Sequence, residues 1–217
     1  MSYRTIVADP PWKYSDKLQD GKGAEAHYRS VMTTDEICAL GVHSSYGIVI
    51  DAEEAARKHW AGHICTRVMD HIVADDSVLW LWVTLPFFLN GDAVRVAKAW
   101  GFTPKTVFHW LKQEITDDDT IRGPLGLGRY LRVDTEYALV CTRGQATSLL
   151  MRHDVRNWWL MAPRTEHSVK PQAFFDLVET ITPGPYLELF ARDRREGWNA
   201  VGNELPVDTH DTMDHDT

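Results

Sequence analysis

Short apolar runs alternate with amphipathic stretches along the whole chain. The runs predict strands at 4–8, 77–84, 105–112, 136–142, 155–161, 185–191 and 198–203, each rich in β-branched or aromatic residues. Helical periodicity predicts helices at 34–40, 51–73, 87–100 and 170–181. Asp51, Glu53 and Glu54 open the second of these, where acids suit the positive helix end. Lys170-Pro171 opens the last, and Phe174, Phe175, Leu177, Val178 and Ile181 line one apolar face of it. Thr182-Pro183-Gly184-Pro185 then stops the helix and turns the chain into the next strand. Strands alternating with helices predict one α/β domain over 1–205, with a central, mostly parallel sheet flanked by helices. Residues 13–33 and 113–131 read as long loops suited to a lid role. Residues 206–217 read as an acidic, disordered tail.

Composition is that of an ordinary globular domain, with 44% hydrophobic and 25% charged residues in 217. The nine tryptophans are expected mainly in the core, including Trp80, Trp82, Trp110, Trp158 and Trp159. No stretch reaches the ~20 apolar residues that span a bilayer, and no secretory leader is read, so no membrane partner is expected. Cys38, Cys65 and Cys141 lack paired spacing, which points to a reducing, cytoplasmic setting. A net charge of −8 argues against a polyanion partner, but its distribution changes the picture. Asp208, Asp211, Asp214 and Asp216 crowd the tail. Arg122, Arg129, Arg132, Arg143, Arg152, Arg156 and Arg164 face only Asp134, Glu136 and Asp154 in the segment 121–164. A local basic face on an acidic protein fits nucleic acid bound at one place, and scattered solvated arginines fit the charge equally.

The densest chemistry follows the first strand. Asp9-Pro10-Pro11-Trp12 comes straight after Ile6-Val7-Ala8. Each proline fixes its own φ, removes a donor and restricts the residue before it. The carbonyls of Asp9 and Pro10 are therefore expected to stay available to a ligand. The Asp9 carboxylate adds a charged acceptor, and Trp12 adds a flat face. Acceptors beside an aromatic plate suit the exocyclic amino group of a planar base.

These residues resemble the DPPW-type, permuted adenine N6-methyltransferases that use S-adenosylmethionine, the family of the messenger-RNA adenosine methyltransferase catalytic subunit and of short bacterial and phage enzymes. The resemblance continues in order through His27-Tyr28, Leu79 to Thr84, Trp100-Gly101-Phe102, Gly126 to Tyr130, Glu136 to Val140, His167 to Pro171, Glu188 to Arg192, Trp198 and Gly202-Asn203-Glu204. It implies a circularly permuted, Rossmann-like class I methyltransferase fold, S-adenosyl-L-methionine as cofactor and adenine in nucleic acid as substrate, DNA ahead of RNA. It further implies a catalytic group of Asp9, Pro10, Pro11 and Trp12. The implied cofactor residues are Asp9, Lys170, Glu188, Phe190, Arg192, Arg194, Asn203 and Glu204. The implied substrate residues are Trp12, His27, Tyr28, Arg129, Arg132 and His167. Lys170 is the candidate grip for the methionine carboxylate, at a helix start where the dipole disfavours a cation. Asn203 and Glu204 match the family's ribose-binding pair.

The implied chemistry is positioning and electrostatics: two acceptors hold the base amino group so that its lone pair turns to the methyl donor, Trp12 stacks on the base, and a duplex target flips it out. Segment 41–73 is longer than a short family member needs and reads as a helical insertion for partner contact. A homodimer or partner subunit is the accompanying expectation. His59 and His63 share a helix face near Cys65 and His71, but Trp60 stands where a metalloprotease glutamate belongs, so no metal site is expected. The rival functions are a silent nucleic-acid-binding subunit and methylation of a small molecule or protein.

Overall fold

A computed structural model of the chain describes residues 2–14, 31–43, 48–50, 69–115, 121–122, 134–155, 159–163 and 169–205. Its strands are β1 (Tyr3–Ala8), β2 (Gly41–His43), β3 (Ile48–Ile50), β4 (Val73–Val83), β5 (Thr103–Ile115), β6 (Ile121–Arg122), β7 (Thr135–Arg143), β8 (Trp159–Pro163), β9 (Tyr186–Leu189) and β10 (Trp198–Val201). Its α-helices are α1 (Thr34–Cys38), α2 (Met69–Ile72), α3 (Leu85–Leu89), α4 (Asp92–Ala99) and α5 (Gln172–Ile181). One eight-stranded sheet runs β10-β9-β1-β4-β7-β5-β6, with β8 also on β5. The pairs β10–β9, β9–β1, β1–β4 and β5–β8 are parallel. β7 is antiparallel to both its neighbours, and β6 folds back on β5. The C-terminal ends of β9, β1, β4 and β5 therefore share one edge of the sheet.

Each face of the sheet buries its own apolar layer. Along β4, Leu79, Leu81 and Val83 point to the side where Ile37 of α1 and Val96 of α4 pack. Val78, Trp80 and Trp82 point to the other side, against Phe174, Phe175 and Val178 of α5. That alternation is the two-residue period of a strand buried on both faces. Phe174 stacks edge-on to Trp82 at 4.8 Å and to Trp80 at 5.7 Å.

Local chemistry accounts for several helix ends. Thr33 caps α1 in a reciprocal box with Glu36. Thr182 closes α5, its hydroxyl donating to the Val178 carbonyl at 2.9 Å. The helix expected over 87–100 is two helices, because Gly91 at φ +82° takes the left-handed conformation between α3 and α4. The helix expected to reach residue 73 ends at Ile72, where β4 begins, and 51–68 lies outside the described residues. Within the stretch expected to be a helical insertion, β2 and β3 form an antiparallel ribbon. The expected loop at 113–131 begins later, since β5 continues to Ile115. Trp159 departs from the expected tryptophan core: it lies on edge strand β8 and is 43% exposed. Among the described residues no helix is long and apolar enough to cross a membrane.

Candidate active site

Asp9 is the first residue past the C-terminal end of β1, in phase with Val7 and thus on the α5 side of the sheet. The two prolines that follow hold the chain in a shelf. Trp12 donates its backbone N–H to the Pro10 carbonyl at 2.9 Å, and Met32 donates its own to the Pro11 carbonyl at 2.8 Å. The expected freedom of the Pro10 carbonyl is thus halved: one lone pair is taken and the other remains for a ligand.

Trp12 differs more from expectation. It is 4% exposed, its indole N–H donates to the Trp82 carbonyl at 3.1 Å, and its ring stacks on Phe87 at 5.0 Å. A ring tied to its surroundings at both face and edge is a wall of the shelf, not an open plate for a base. Tyr14 adds a second tie, its hydroxyl 2.7 Å from Thr84 Oγ1. Shelf and β4 end are therefore one packed unit.

Charges on the same side of the sheet form a row. Lys170 Nζ lies 2.6 Å from Asp9 Oδ2 and 3.2 Å from Glu136 Oε2. The other oxygen of Glu136 meets Lys112 Nζ at 2.5 Å. Lys170 also stands 5.0 Å over the ring of Trp82, and Lys112 stands 5.1 Å over that of Trp110. Burial opposes charge on Glu136, but the two lysines overcome it and hold its carboxyl down to about 2. Burial pushes the Asp9 carboxyl above its ordinary range, with Lys170 opposing and Glu136 reinforcing.

A cleft of about 690 Å³ opens from this row along the ends of β1 and β9. Asp9, Lys170, Glu188, Phe190, Arg192 and Arg194 all line it. Six of the eight residues implied for the cofactor thus meet in one cavity. Glu188 pairs in register with Val7, and burial pushes its carboxyl up to about 7, with Arg195 opposing. β9 ends where Phe190 turns at φ +62°, a left-handed conformation that a non-glycine residue adopts only under constraint. The next residue, Ala191, donates its N–H to the Val201 carbonyl at 3.0 Å. Gly202 fits so closely there that a Cβ on it would come within 2.1 Å of the Ala191 carbonyl oxygen. Beyond this contact Arg192 Nε meets Glu204 Oε2 at 3.3 Å, which brings the Asn203-Glu204 turn to the cleft edge.

His27, Tyr28, Arg129, Arg132 and His167 lie outside the described residues, as do His59, His63 and Cys65. Sequence reading missed three contributors. Lys112 anchors the row, Trp82 floors it, and Arg195 stacks over Phe175 at 3.6 Å on the cleft wall. Lys112 had a signal: it falls in phase with buried Phe108 and Trp110, so a charge stands where the strand faces inward.

A parallel half-sheet whose strand ends carry acids, with a cleft at its carboxyl edge where the chain order reverses beside β1, has the architecture of a Rossmann-like fold. Comparison with known proteins narrows the class. The MT-A70 family model matches residues 53–204. A curated relative from a Mycoplasma species, the type II methyltransferase M.MunI, is 31% identical over 206 residues, covering 94% of this chain and 78% of the relative. The chain belongs to the MT-A70 family and is a methyltransferase. The family match begins after the Asp9 shelf, whereas the 206-residue alignment extends over nearly the whole chain.

Proposed function

We propose that this methyltransferase moves the methyl group of S-adenosyl-L-methionine to the exocyclic N6 amino group of adenine in DNA. The observation that carries the reading is the Asp9 carboxylate, fixed by a rigid shelf at the mouth of a cleft lined with both acids and cations.

The cleft residues fit the cofactor. About 690 Å³ is the size of a small-ligand site. Lys170 and Arg194 suit a carboxylate, Glu188 suits a cationic amine, and Glu204 beside Arg192 suits a ribose diol. Bound there, the cofactor would supply a methyl group on a cationic sulfur, with the neutral thioether as the leaving group. Asp9 accepts hydrogen bonds from the amino hydrogens of the base, and the Pro10 carbonyl offers its remaining lone pair to the same group. The amino nitrogen is thereby held with its own lone pair toward the methyl, and its surplus proton passes to solvent after transfer. Orientation and fixed charge supply the catalysis. The relative's printed name as a type II methyltransferase supports DNA as the substrate.

The test is transfer of labelled methyl to single-stranded DNA, duplex DNA and RNA, read by nucleoside mass spectrometry, for wild type and Asp9→Ala. N6-methyladenine in DNA, lost in Asp9→Ala, is expected. Label on RNA alone, on protein or on no nucleic acid overturns the reading.

A further inference from the structure

Asp9 has a counter-charge, Lys170, that is shared. Lys170 Nζ lies within 2.6 Å of Asp9 and 3.2 Å of Glu136, so the two carboxylates compete for one ammonium. Glu136 divides its own oxygens between two lysines, and its contact with Lys112 is the shorter, at 2.5 Å. Lys112 is held in place, with its backbone N–H donated to the Asp134 carbonyl at 2.8 Å and its ammonium over Trp110.

We propose that Lys112 is a positioning residue for methyl transfer: by occupying Glu136 it leaves Lys170 with Asp9, though it touches neither Asp9 nor the cleft. This rests on Asp9 being the acceptor for the adenine amino group. The other charges that act on Asp9 are Glu136 on β7 and Arg192 after β9, while Glu188 on β9 and Tyr14 beyond the shelf respond to it. Of these groups, Glu136 is the one that Lys112 bonds. Removing Lys112 turns Glu136 wholly onto Lys170, draws the ammonium from Asp9 and leaves the buried carboxylate easier to protonate. Removing Glu136 as well takes away the competitor and returns Lys170 to Asp9.

The experiment compares the pH profiles of kcat/KM for the full-length wild type, Lys112→Met, Lys112→Arg, Glu136→Gln and the Lys112→Met/Glu136→Gln double variant on adenine-containing DNA. Thermal melting and cofactor calorimetry accompany each. The acid limb of Lys112→Met is expected to move up by about one pH unit. Lys112→Arg should stay near wild type, and the double variant should return toward it despite carrying the extra substitution. An unmoved limb in Lys112→Met, or a double variant no better than the single, overturns the proposal. Where Lys112→Met does not fold, Glu136→Gln and the double variant must share one acid limb; a difference between them overturns it equally. Asp9→Ala separates the two levels. Full activity there removes the acceptor role itself, whereas an inactive Asp9→Ala beside a flat Lys112 series removes this inference alone.

Discussion

Glu136→Gln tests the charge row through stability. The Glu136 carboxyl is held to about 2 where its ordinary value is 4.5. At about 1.4 kcal/mol per pH unit, the folded state favours the ionised form by on the order of 3 kcal/mol. The side chain is 22% exposed, so solvent screens the pair only in part. Because the folded value is depressed, this stabilisation is fully present above about pH 4.5 and is lost as pH falls toward 2. Urea unfolding of wild type and Glu136→Gln at pH 7, 5, 4 and 3 measures it. A gap of about 2–3 kcal/mol at pH 7 is expected, shrinking steadily between pH 4.5 and 3. A gap below about 0.5 kcal/mol at pH 7, the ordinary scatter of surface substitutions, would refute the reasoning, as would one that does not change between pH 6 and 3.

Glu188 has the opposite sign: its folded value, about 7, lies above the ordinary 4.5, so stability is greatest below 4.5 and is lost as pH rises through 7. Glu188→Gln should therefore unfold at higher urea than wild type at pH 8 and lose the advantage at pH 4; equal midpoints at both would show that the carboxyl is solvated. Gly202→Ala forces its Cβ against the Ala191 carbonyl, a backbone atom that cannot swing aside. A loss of about 1–3 kcal/mol, or a tenfold or greater weakening of cofactor binding by calorimetry, is expected, and a variant matching wild type in both refutes the close fit. Trp12→Phe removes the hydrogen bond to Trp82 and keeps a ring on Phe87, whereas Trp12→Ala removes both. Melting should rank them wild type, Phe, Ala, with Ala down by about 3–5 kcal/mol; an Ala variant that melts like wild type and fails only in binding DNA would restore the indole as a base plate.

The strands were legible because β-branched and aromatic runs carry a local signal, and β1, β4, β5, β7, β9 and β10 fall within a few residues of their expected places. The division at Gly91 was harder to read, since apolar residues on both sides keep a helical period while one backbone angle breaks the chain. The fate of Trp12 was not legible at all. A tetrapeptide specifies a rigid turn, but whether its indole faces a ligand or a core depends on Phe87 and Trp82, some seventy residues away.

The same limit explains why residues that line the cleft could be named from the sequence and the charge row could not. Motif blocks on consecutive residues, such as Glu188 to Arg192, reach the cleft together because one strand end carries them. The row draws Asp9, Lys112, Glu136 and Lys170 from β1, β5, β7 and the approach to α5. What unites three of them is phase. Asp9 follows Val7, Lys112 follows Phe108 and Trp110, and Glu136 precedes Ala138, all on the face that α5 covers. A charge in phase with buried apolar neighbours has to be paired or exposed at a cavity. At the carboxyl edge these charges are paired with one another, and Asp9 and Lys170 also line the cleft. Inward-phased charges at several strand ends on one side of a sheet are thus a site signal that needs no motif, and here they converge on the carboxylate to which the chemistry is assigned.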